Sequence, residues 1–211
     1  MAGKFPRSRI SRLPITPIRR RGQRVRRVPR GKLEMVITYL EMLKPPPQRQ
    51  LVHRGEKLAL MRAEQPTVSF YRYLYNTVGG PWLWYERRLL EDDALKAIIT
   101  DPEVEIYLLY LAGVPAGFAE LDLRIDDEVE LSYFGLVPDF IGRGLGHHFL
   151  DWAVDEAWQK RRSRVWVHTC NLDHPAAIAV YQRAGFSPYQ QEVRIVDDPR
   201  KRGLMPKGQE F

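Results

Sequence analysis

The fold is decided by one stretch of the chain, Tyr133-Phe-Gly-Leu-Val-Pro-Asp-Phe-Ile-Gly-Arg-Gly-Leu-Gly-His-His-Phe-Leu150. Its apolar start predicts a buried strand that ends at Pro138, because proline lacks the N–H that a strand ladder needs. From Leu145 onward the apolar residues recur at helical spacing. The glycines between these two elements allow the backbone to approach a ligand closely. This order predicts an anion site, since the first N–H groups of a helix are unpaired and carry partial positive charge.

The glycine spacing excludes two common nucleotide-binding patterns. The pattern G-x-x-x-x-G-K-[ST] is absent from the stretch. The dinucleotide pattern G-x-G-x-x-G fails as well, because its last glycine would fall on His147 or Phe149. On these residues alone, a glycine-rich turn without a ligand is as good an interpretation as an anion site.

A second stretch decides between these interpretations. It reads Val165-Trp-Val-His-Thr-Cys-Asn-Leu-Asp-His-Pro-Ala-Ala-Ile-Ala-Val-Tyr-Gln-Arg-Ala-Gly-Phe186. The pattern predicts a strand over 165–170, a short helix after Pro175 and a stop at Gly185. Together the two stretches resemble the GNAT superfamily of acetyl-CoA-dependent N-acetyltransferases, over roughly residues 105–190.

Two signatures carry this resemblance. The first is Q/R-x-x-G-x-G/A, which corresponds here to Ile141, Gly142, Arg143, Gly144, Leu145 and Gly146. The second is an asparagine before a helix with Tyr-x-x-x-Gly-Phe, which corresponds here to Asn171, Tyr181, Gly185 and Phe186. Ile141 stands where the family usually has Gln or Arg, so one side-chain contact to the pyrophosphate is missing, and Arg143 could partly replace it. The backbone donors of the loop do not depend on that side chain.

The resemblance implies a fold of the α/β (α+β) class, with a central mixed, mostly antiparallel sheet flanked by helices. It implies acetyl-CoA as the cosubstrate, without a metal, and an acceptor amine on a small molecule or a protein. The acetyl group would pass to a primary amine by direct attack in a ternary complex. Residues Ile141–Gly146, Asn171 and Tyr181 would bind the cofactor. The backbone of Leu136 and Val137 would lie along the acyl arm, and the Leu136 N–H would polarise the thioester carbonyl.

Two side chains are candidates for the proton transfers. Tyr181 matches the family tyrosine that acts as general acid, and its alternative is a core tyrosine on the apolar face of the short helix. Glu130 is the candidate base, with Glu120 and His168 as rivals. Proton transfer through water is a further alternative to all three. We interpret Cys170 as a small buried residue.

The charge of the chain is unevenly distributed. The 211 residues carry a net charge of +7. Residues 1–33 contain twelve Lys or Arg and no acid, whereas the rest contains 21 basic and 26 acidic residues. Since four prolines also interrupt residues 1–33, we predict a disordered tail there and one domain over 34–211. A nucleic-acid partner is expected only through this tail. Anionic lipid, a targeting role and a translated leader before Met35 are the alternatives for the tail.

Composition limits the compartment and the class of protein. The single Cys170 excludes an internal disulfide and a cysteine-based zinc site. No apolar run reaches the length of a membrane span. We therefore expect a cytoplasmic protein, which could form a homodimer. Two further classes stay open: a non-catalytic acyl-CoA-binding or sensing module, and a nucleic-acid-associated protein that acts through the tail.

Outside the two stretches, the pattern predicts a first strand over 35–43 and a helix after Pro66, with Thr67 near its cap. Residues 51–65 carry mixed charge and favour no element. The aromatic segment 82–88 follows, and we interpret most of its rings as core. The resemblance implies the alternative that this connection covers the acceptor site. Residues 197–211 are expected to be frayed.

Overall fold

The computed structural model describes residues 28–47 and 57–205. Its strands are β1 (Lys32–Met42), β2 (Leu58–Ala63), β3 (Val104–Leu111), β4 (Val114–Asp122), β5 (Glu128–Leu136), β6 (Arg164–Cys170) and β7 (Ser187–Asp197). Its helices are α1 (Val68–Gly79), α2 (Asp92–Ile99), α3 (Leu145–Gln159) and α4 (Ala177–Arg183). Short 3₁₀ turns lie at Gly80–Trp82, Glu86–Leu89 and Pro138–Phe140.

The described strands form one sheet in the order β2-β3-β4-β5-β6-β1-β7. Neighbouring strands run antiparallel, except for β5 and β6, which run parallel. This mixed, mostly antiparallel sheet with helices on it confirms the predicted fold. The single parallel pair lies in the middle of the sheet, next to the glycine loop.

The helices begin and face the sheet as their sequences predict. Thr67 caps α1, and its hydroxyl oxygen accepts a hydrogen bond from the Phe70 N–H at 3.2 Å. Helix α3 is amphipathic, and its buried face consists of Leu145, Phe149, Leu150, Ala153, Val154 and Ala157. Burial of this face holds the start of α3 against the sheet beside β5.

Two apolar cores lie on opposite faces of the sheet. One packs α3 and α4 against the strands, and the other packs α1 and α2 against them. Because side chains alternate along a strand, β6 contributes Val165 and Val167 to the first core and turns Trp166 and His168 to the other face. The position of a residue along β5 or β6 therefore decides on which face of the sheet its side chain lies.

Several predicted boundaries need correction. The first strand begins at Lys32 rather than at Met35, because Lys32 lies opposite Asp197 and the pairing with β7 continues from there. Part of the unassigned segment forms β2, which pairs with β3 along its whole length. Residues 198–205 after β7 are described, and there the Asp198 carboxylate accepts hydrogen bonds from Arg200.

The predicted tail falls almost entirely on residues 1–27, which lie outside the described residues, so its disorder stays a prediction. Over residues 28–47 and 57–205, no helix combines the length and the apolarity needed to cross a bilayer.

Candidate active site

Strands β5 and β6 separate part-way along the sheet. They pair only where Glu128–Glu130 lie beside Arg164–Trp166. Directly afterwards β5 carries a bulge, since its register with β4 shifts and Ser132 is left out of the pairing. A bulge bends its strand and increases the local twist. The two parallel strands therefore diverge and leave a gap in the middle of the sheet.

A cleft of about 1400 Å³ occupies this gap and extends to both faces of the sheet. The glycine loop and the start of α4 form one wall. The connection between α1 and α2, with parts of β1 and β6, forms the opposite wall. Among the predicted residues, those that line the cleft are Glu130, Leu136, Ile141, Gly142, Gly144, Gly146, His168 and Tyr181. The split thus brings both signatures to a single site.

The glycine-loop wall presents backbone rather than side chains. Gly142 and Gly144 have φ values of +83° and +77°, and a Cβ at either position would meet no atom within 4 Å. These φ values favour glycine, and the open space leaves room for a ligand against the backbone. Gly144 is also the N-cap of α3 and makes no side-chain cap hydrogen bond. The first N–H groups of α3 therefore stay available to an anion.

The end of β5 divides its backbone groups between the sheet and the gap. The Val137 N–H donates to the Ala116 carbonyl oxygen at 2.9 Å. Because neighbouring residues of a strand point their N–H groups in opposite directions, the Leu136 N–H points away from β4, towards the gap. The Val137 N–H is therefore used within the sheet, and the expected place of the Val137 backbone along the acyl arm stays a prediction. Leu136 keeps the geometry that its predicted role requires.

Two side chains of the glycine loop lie outside the cleft. Leu145 is fully buried in the core beneath α3. The Arg143 guanidinium lies over the Phe140 ring, with its carbon 5.2 Å from the ring centroid. The idea that Arg143 replaces the contact missing at Ile141 therefore gains no support from this arrangement. Ile141 itself lines the cleft and is 42 % exposed.

Glu130 and His168 form a pair on the opposite wall. Their side chains meet at 3.1 Å, between Glu130 Oε1 and His168 Nδ1. The Glu130 side chain is 16 % exposed and that of His168 is 44 % exposed, so the pair faces the cleft. Burial alone would lower the pKa of His168, but the hydrogen bond and charge of Glu130, with Glu86 and Asp173 further away, raise it above its ordinary value. The two residues that competed for one role are thus parts of one unit.

Tyr181 lies on the other side of the split, on α4. It is 8 % exposed and packs between the rings of Phe134 and Phe186, with centroid distances of 6.5 and 5.9 Å. It also lines the cleft. Burial raises the pKa of Tyr181 above its ordinary value, and the charge of Asp173 acts in the same direction. A tyrosine in this state keeps its proton at neutral pH and can donate it.

Glu120, the third candidate base, is fully buried instead of facing the cleft. Its carboxylate accepts hydrogen bonds from Arg87 at 2.5 Å and from the Tyr71 hydroxyl at 2.5 Å. Burial lowers the pKa of Arg87, but the Glu120 carboxylate raises it well above its ordinary value. Glu120 therefore belongs to a buried ion pair that joins β4 to α1 and to the turn after it.

The aromatic segment after α1 forms much of the opposite wall. Trp82, Trp84 and Tyr85 line the cleft, which corrects the interpretation of this segment as mostly core. The Trp84 Nε1–H donates to Asp173 at 3.0 Å. The Trp84 ring packs so closely on Gly79 that a Cβ there would lie 2.2 Å from it. The wall is therefore fixed at both ends, by contact with α1 and by a hydrogen bond beyond β6.

The sequence match to a known family follows the same residues. A sequence model of the Acetyltransferase (GNAT) family matches residues 63–186, which is more than half of the chain. The chain belongs to the GNAT family. The matched region runs from the end of β2 to Phe186, and so contains both signatures and most of the residues that line the cleft.

Solved structures share the fold at low sequence identity. A conserved protein of unknown function from Staphylococcus epidermidis superposes with a TM-score of 0.57 and 15 % identity, over 79 % of this chain and 63 % of that one. A GNAT family member from Novosphingobium aromaticivorans gives 0.53 and 17 %, over 81 % and 69 %. An aminoglycoside acetyltransferase from an uncultured soil sample gives 0.50 and 10 %, over 61 % and 87 %.

At these identities the likeness shows the fold alone. The chain spans 63 % of the Staphylococcus protein. No curated protein matches the sequence.

The asparagine of the second GNAT signature forms hydrogen bonds within the sheet. The Asn171 Oδ1 accepts a hydrogen bond from the Val36 N–H at 2.7 Å, and its Nδ2 donates to the Glu34 carbonyl oxygen at 3.1 Å. Both partners belong to β1, and Asn171 does not line the cleft. Its expected cofactor contact is therefore not seen in this arrangement. The side chain joins the end of β6 to the beginning of β1 instead.

Cys170 lines the cleft but is not an activated nucleophile. Burial and the charge of Asp173 raise the pKa of the Cys170 thiol to about 12. Within residues 28–47 and 57–205, no group of three or more His, Cys, Asp or Glu side chains could hold a metal ion.

Glu86 is one of the cleft residues that the sequence did not single out. Glu86 lies directly after the three aromatic residues of the opposite wall and also lines the cleft. The signal in the sequence was weak: Glu86 follows an aromatic run that has neither helical nor strand periodicity. Such a run is more consistent with a connection that lines a cleft than with a regular element.

Proposed function

We propose that this GNAT protein transfers an acetyl group from acetyl-CoA to a primary amine, by direct attack in a ternary complex. The observation that carries the proposal is the cleft at the β5–β6 split, which has backbone donors on one wall and the Glu130–His168 pair on the other. Such a site lets two substrates meet without a covalent intermediate on the protein. The acetyl-CoA thioester would supply the activated acetyl group.

The glycine-loop wall fits a pyrophosphate. Gly142 and Gly144 leave open space at positions where any Cβ would project. The free N–H groups at the start of α3 favour negative charge through hydrogen bonds and the helix dipole. The Leu136 N–H, which points away from β4, is the donor we assign to the thioester oxygen. The backbone of the chain thus binds and polarises the donor.

The Glu130–His168 pair would take the proton from the acceptor. An amine attacks only in its neutral form, so a base has to receive its proton. The His168 ring, with a pKa raised above its ordinary value by Glu130, suits proton uptake near neutral pH. Because the two groups are hydrogen-bonded, we assign the base to the pair.

Tyr181 would complete the proton balance. The new C–N bond forms as the C–S bond breaks, and the amine proton passes to the Glu130–His168 pair. The Tyr181 hydroxyl donates a proton to the departing sulfur, a role supported by its place on the cleft. Cys170 supports direct attack rather than an acyl-enzyme, because a thiol with a pKa of about 12 stays protonated at neutral pH.

An assay of free-thiol release tests the proposal. The protein is incubated with acetyl-CoA and a panel of primary amines, and mass spectrometry identifies the N-acetyl product. We expect amine-dependent release, with initial-rate lines that intersect when both substrates are varied. Parallel lines would instead indicate a covalent intermediate and overturn direct attack. Binding of acetyl-CoA without release by any amine would favour the non-catalytic binding module.

A further inference from the structure

Glu86 is a carboxylate of the cleft that lacks a cationic partner among the described residues. Four other carboxylates that line the cleft have a basic partner: Asp122 with Arg124, Asp126 with Arg162, Glu128 with Arg164 and Glu130 with His168. The Asp173 carboxylate also lines the cleft, and its oxygens accept hydrogen bonds from Trp84, Thr169 and the Cys170 N–H. Glu86 Oε2 accepts two long hydrogen bonds, from the Tyr75 hydroxyl and the Tyr85 N–H, both at 3.3 Å. Its other oxygen, Oε1, receives none from residues 28–47 or 57–205. This oxygen is not sealed in the protein, because Glu86 lines the cleft.

The surroundings of Glu86 favour a positively charged ligand. A partly buried carboxylate without a cation is unfavourable, and a ligand cation would relieve that cost. The rings of Tyr75 and Trp84 lie 5.5 Å apart beside it, and Trp84 and Tyr85 line the cleft. Aromatic faces attract organic ammonium groups. Across the whole cleft the lining contains six carboxylates but four guanidinium groups, so its excess charge is negative.

The ammonium group at Glu86 is unlike the amine that reacts. A carboxylate beside the attacking nitrogen would stabilise its protonated form and so oppose attack. The Glu130–His168 pair already provides a proton acceptor for that nitrogen. A second ammonium group that does not react avoids this conflict, because it stays protonated throughout the reaction.

We propose that the acceptor is an organic dication, in which one amine is acetylated while a second ammonium group binds Glu86. This inference rests on the proposed acetyl transfer and deepens it, since it names the class of acceptor. Glu86 is then a specificity-determining residue, and linear diamines are the simplest members of the class it selects.

Direct binding tests the subsite without any transfer of acetyl groups. Titration calorimetry compares α,ω-diaminoalkanes of three to six carbons with the monoamines of equal length. We expect at least one diamine to bind at least about tenfold more tightly than its monoamine, which is the ratio for one partly desolvated charge pair. Glu86→Gln should remove this preference and leave monoamine binding unchanged, since the amide can still accept from Tyr75 and Tyr85.

Asp126→Asn is the matched control. It removes one negative charge from the rim of the same cleft, at a side chain that is fully exposed, and should keep the preference for diamines. Equal binding of diamines and monoamines by the natural chain would overturn the inference even if Glu86→Gln failed to fold. An unchanged preference in Glu86→Gln would overturn it as well.

A second measurement separates this inference from the proposed function. The ratio of kcat/KM for diamine and monoamine is compared between the natural chain and Glu86→Gln. Acetyl transfer without selection for diamines would overturn the inference and leave the proposed function standing. Selective, Glu86-dependent binding of diamines with no transfer to any amine would support the cation subsite and overturn the proposed function.

Discussion

The two walls of the cleft use different parts of the chain. At the glycine loop the first wall presents backbone N–H groups: Gly142 and Gly144 carry no side chain and Arg143 lies over Phe140, although Ile141 lines the cleft. The opposite wall presents charged and aromatic side chains from several elements, each of them fixed by a partner, as Trp84 is by Asp173. The first wall should therefore tolerate changes of side-chain chemistry but not a projecting Cβ. The second should respond to the loss of a single functional group.

The opposite wall also shows that partners decide what a carboxylate does. Glu120 and Glu130 lie on neighbouring strands. Glu120 is sealed in an ion pair with Arg87, whereas Glu130 shares its charge with a half-exposed histidine on the cleft. Glu86 makes no ion pair with another residue in the described part of the chain, and its carboxylate accepts hydrogen bonds only from Tyr75 and Tyr85 there. We therefore assign a structural role to Glu120, and we propose that Glu130 tunes a base and that Glu86 binds a ligand.

The largest expected effect comes from Gly144→Glu on the glycine-loop wall. This change forces a non-glycine residue into a left-handed conformation and places negative charge where we expect the pyrophosphate. Like-charge contacts of this kind cost several kcal/mol, so affinity for acetyl-CoA should fall by about a hundredfold or more. The measurement is the rise in melting temperature caused by acetyl-CoA, which should disappear.

Gly113→Glu is the control for backbone strain. Gly113 has φ of +86° and equally open space, but it lies in the turn between β3 and β4, away from the cleft. It should lower the melting temperature and still respond to acetyl-CoA. If Gly144→Glu folds and responds like the natural chain, the glycine loop is not the cofactor wall.

Tyr181→Phe should have the next largest effect, on chemistry instead of binding. The change removes the hydroxyl but keeps the ring between Phe134 and Phe186. Turnover should fall roughly ten- to a thousandfold, the range for loss of a general acid, with little change in acetyl-CoA affinity. Tyr189→Phe, on β7 and away from the cleft, should leave turnover unchanged. Equal turnover in both variants would exclude Tyr181 from the mechanism.

Glu130→Gln should move the acid limb of the pH–rate profile. The base acts when His168 is neutral, and Glu130 raises the pKa of His168. Without this charge the pKa falls, so the neutral form appears at lower pH and the limb shifts to lower pH. Glu86 and Asp173 also raise this pKa and remain in the variant. We further expect kcat to fall by roughly tenfold, because the base becomes weaker.

Glu128→Gln is the matched control, as it removes one charge from the same strand at a carboxylate paired with Arg164. It should leave the limb in place. The Glu130–His168 pair also contributes to the free energy of unfolding. Because the pKa of His168 is raised in the folded protein, this contribution is present below the ordinary pKa of His168 and is lost as pH rises through the raised value. An unshifted limb in Glu130→Gln would show that the pair does not act as the base.

The glycine-loop wall could be predicted from the sequence because its determinants are local. Pro138 ends the strand, Gly144 accepts the left-handed conformation, and the apolar spacing of α3 starts directly afterwards. Each requirement is satisfied within a few residues. The resemblance to the GNAT family rests on these same positions and was confirmed with the fold.

The opposite wall could not be predicted in the same way, because its contacts join distant parts of the chain. Glu130 and His168 are 38 residues apart, and only the parallel register of β5 and β6 brings them together. The sequence therefore offered Glu130, Glu120 and His168 as rivals. Strand β2 was missed for a related reason. It lies within a segment of mixed charge, its six residues show no alternation of polar and apolar side chains, and their pairing with β3 defines them as a strand.

The smallest expected effect comes from Asn171→Ala. This variant tests whether the asparagine of the second signature belongs to the cofactor site. The change removes two hydrogen bonds to the backbone of β1, at Val36 and Glu34, each worth about 0.5–1.5 kcal/mol. The melting temperature should fall by about 2–4 °C per kcal/mol lost, for a chain of this size. Affinity for acetyl-CoA and kcat should stay within about twofold, because the side chain contacts the sheet rather than the cleft.

Gln182→Ala, on the exposed side of α4, controls for a surface truncation and should change neither stability nor rate. A fall in acetyl-CoA affinity at unchanged melting temperature would instead place Asn171 on the cofactor, and would extend the glycine-loop wall to the end of β6.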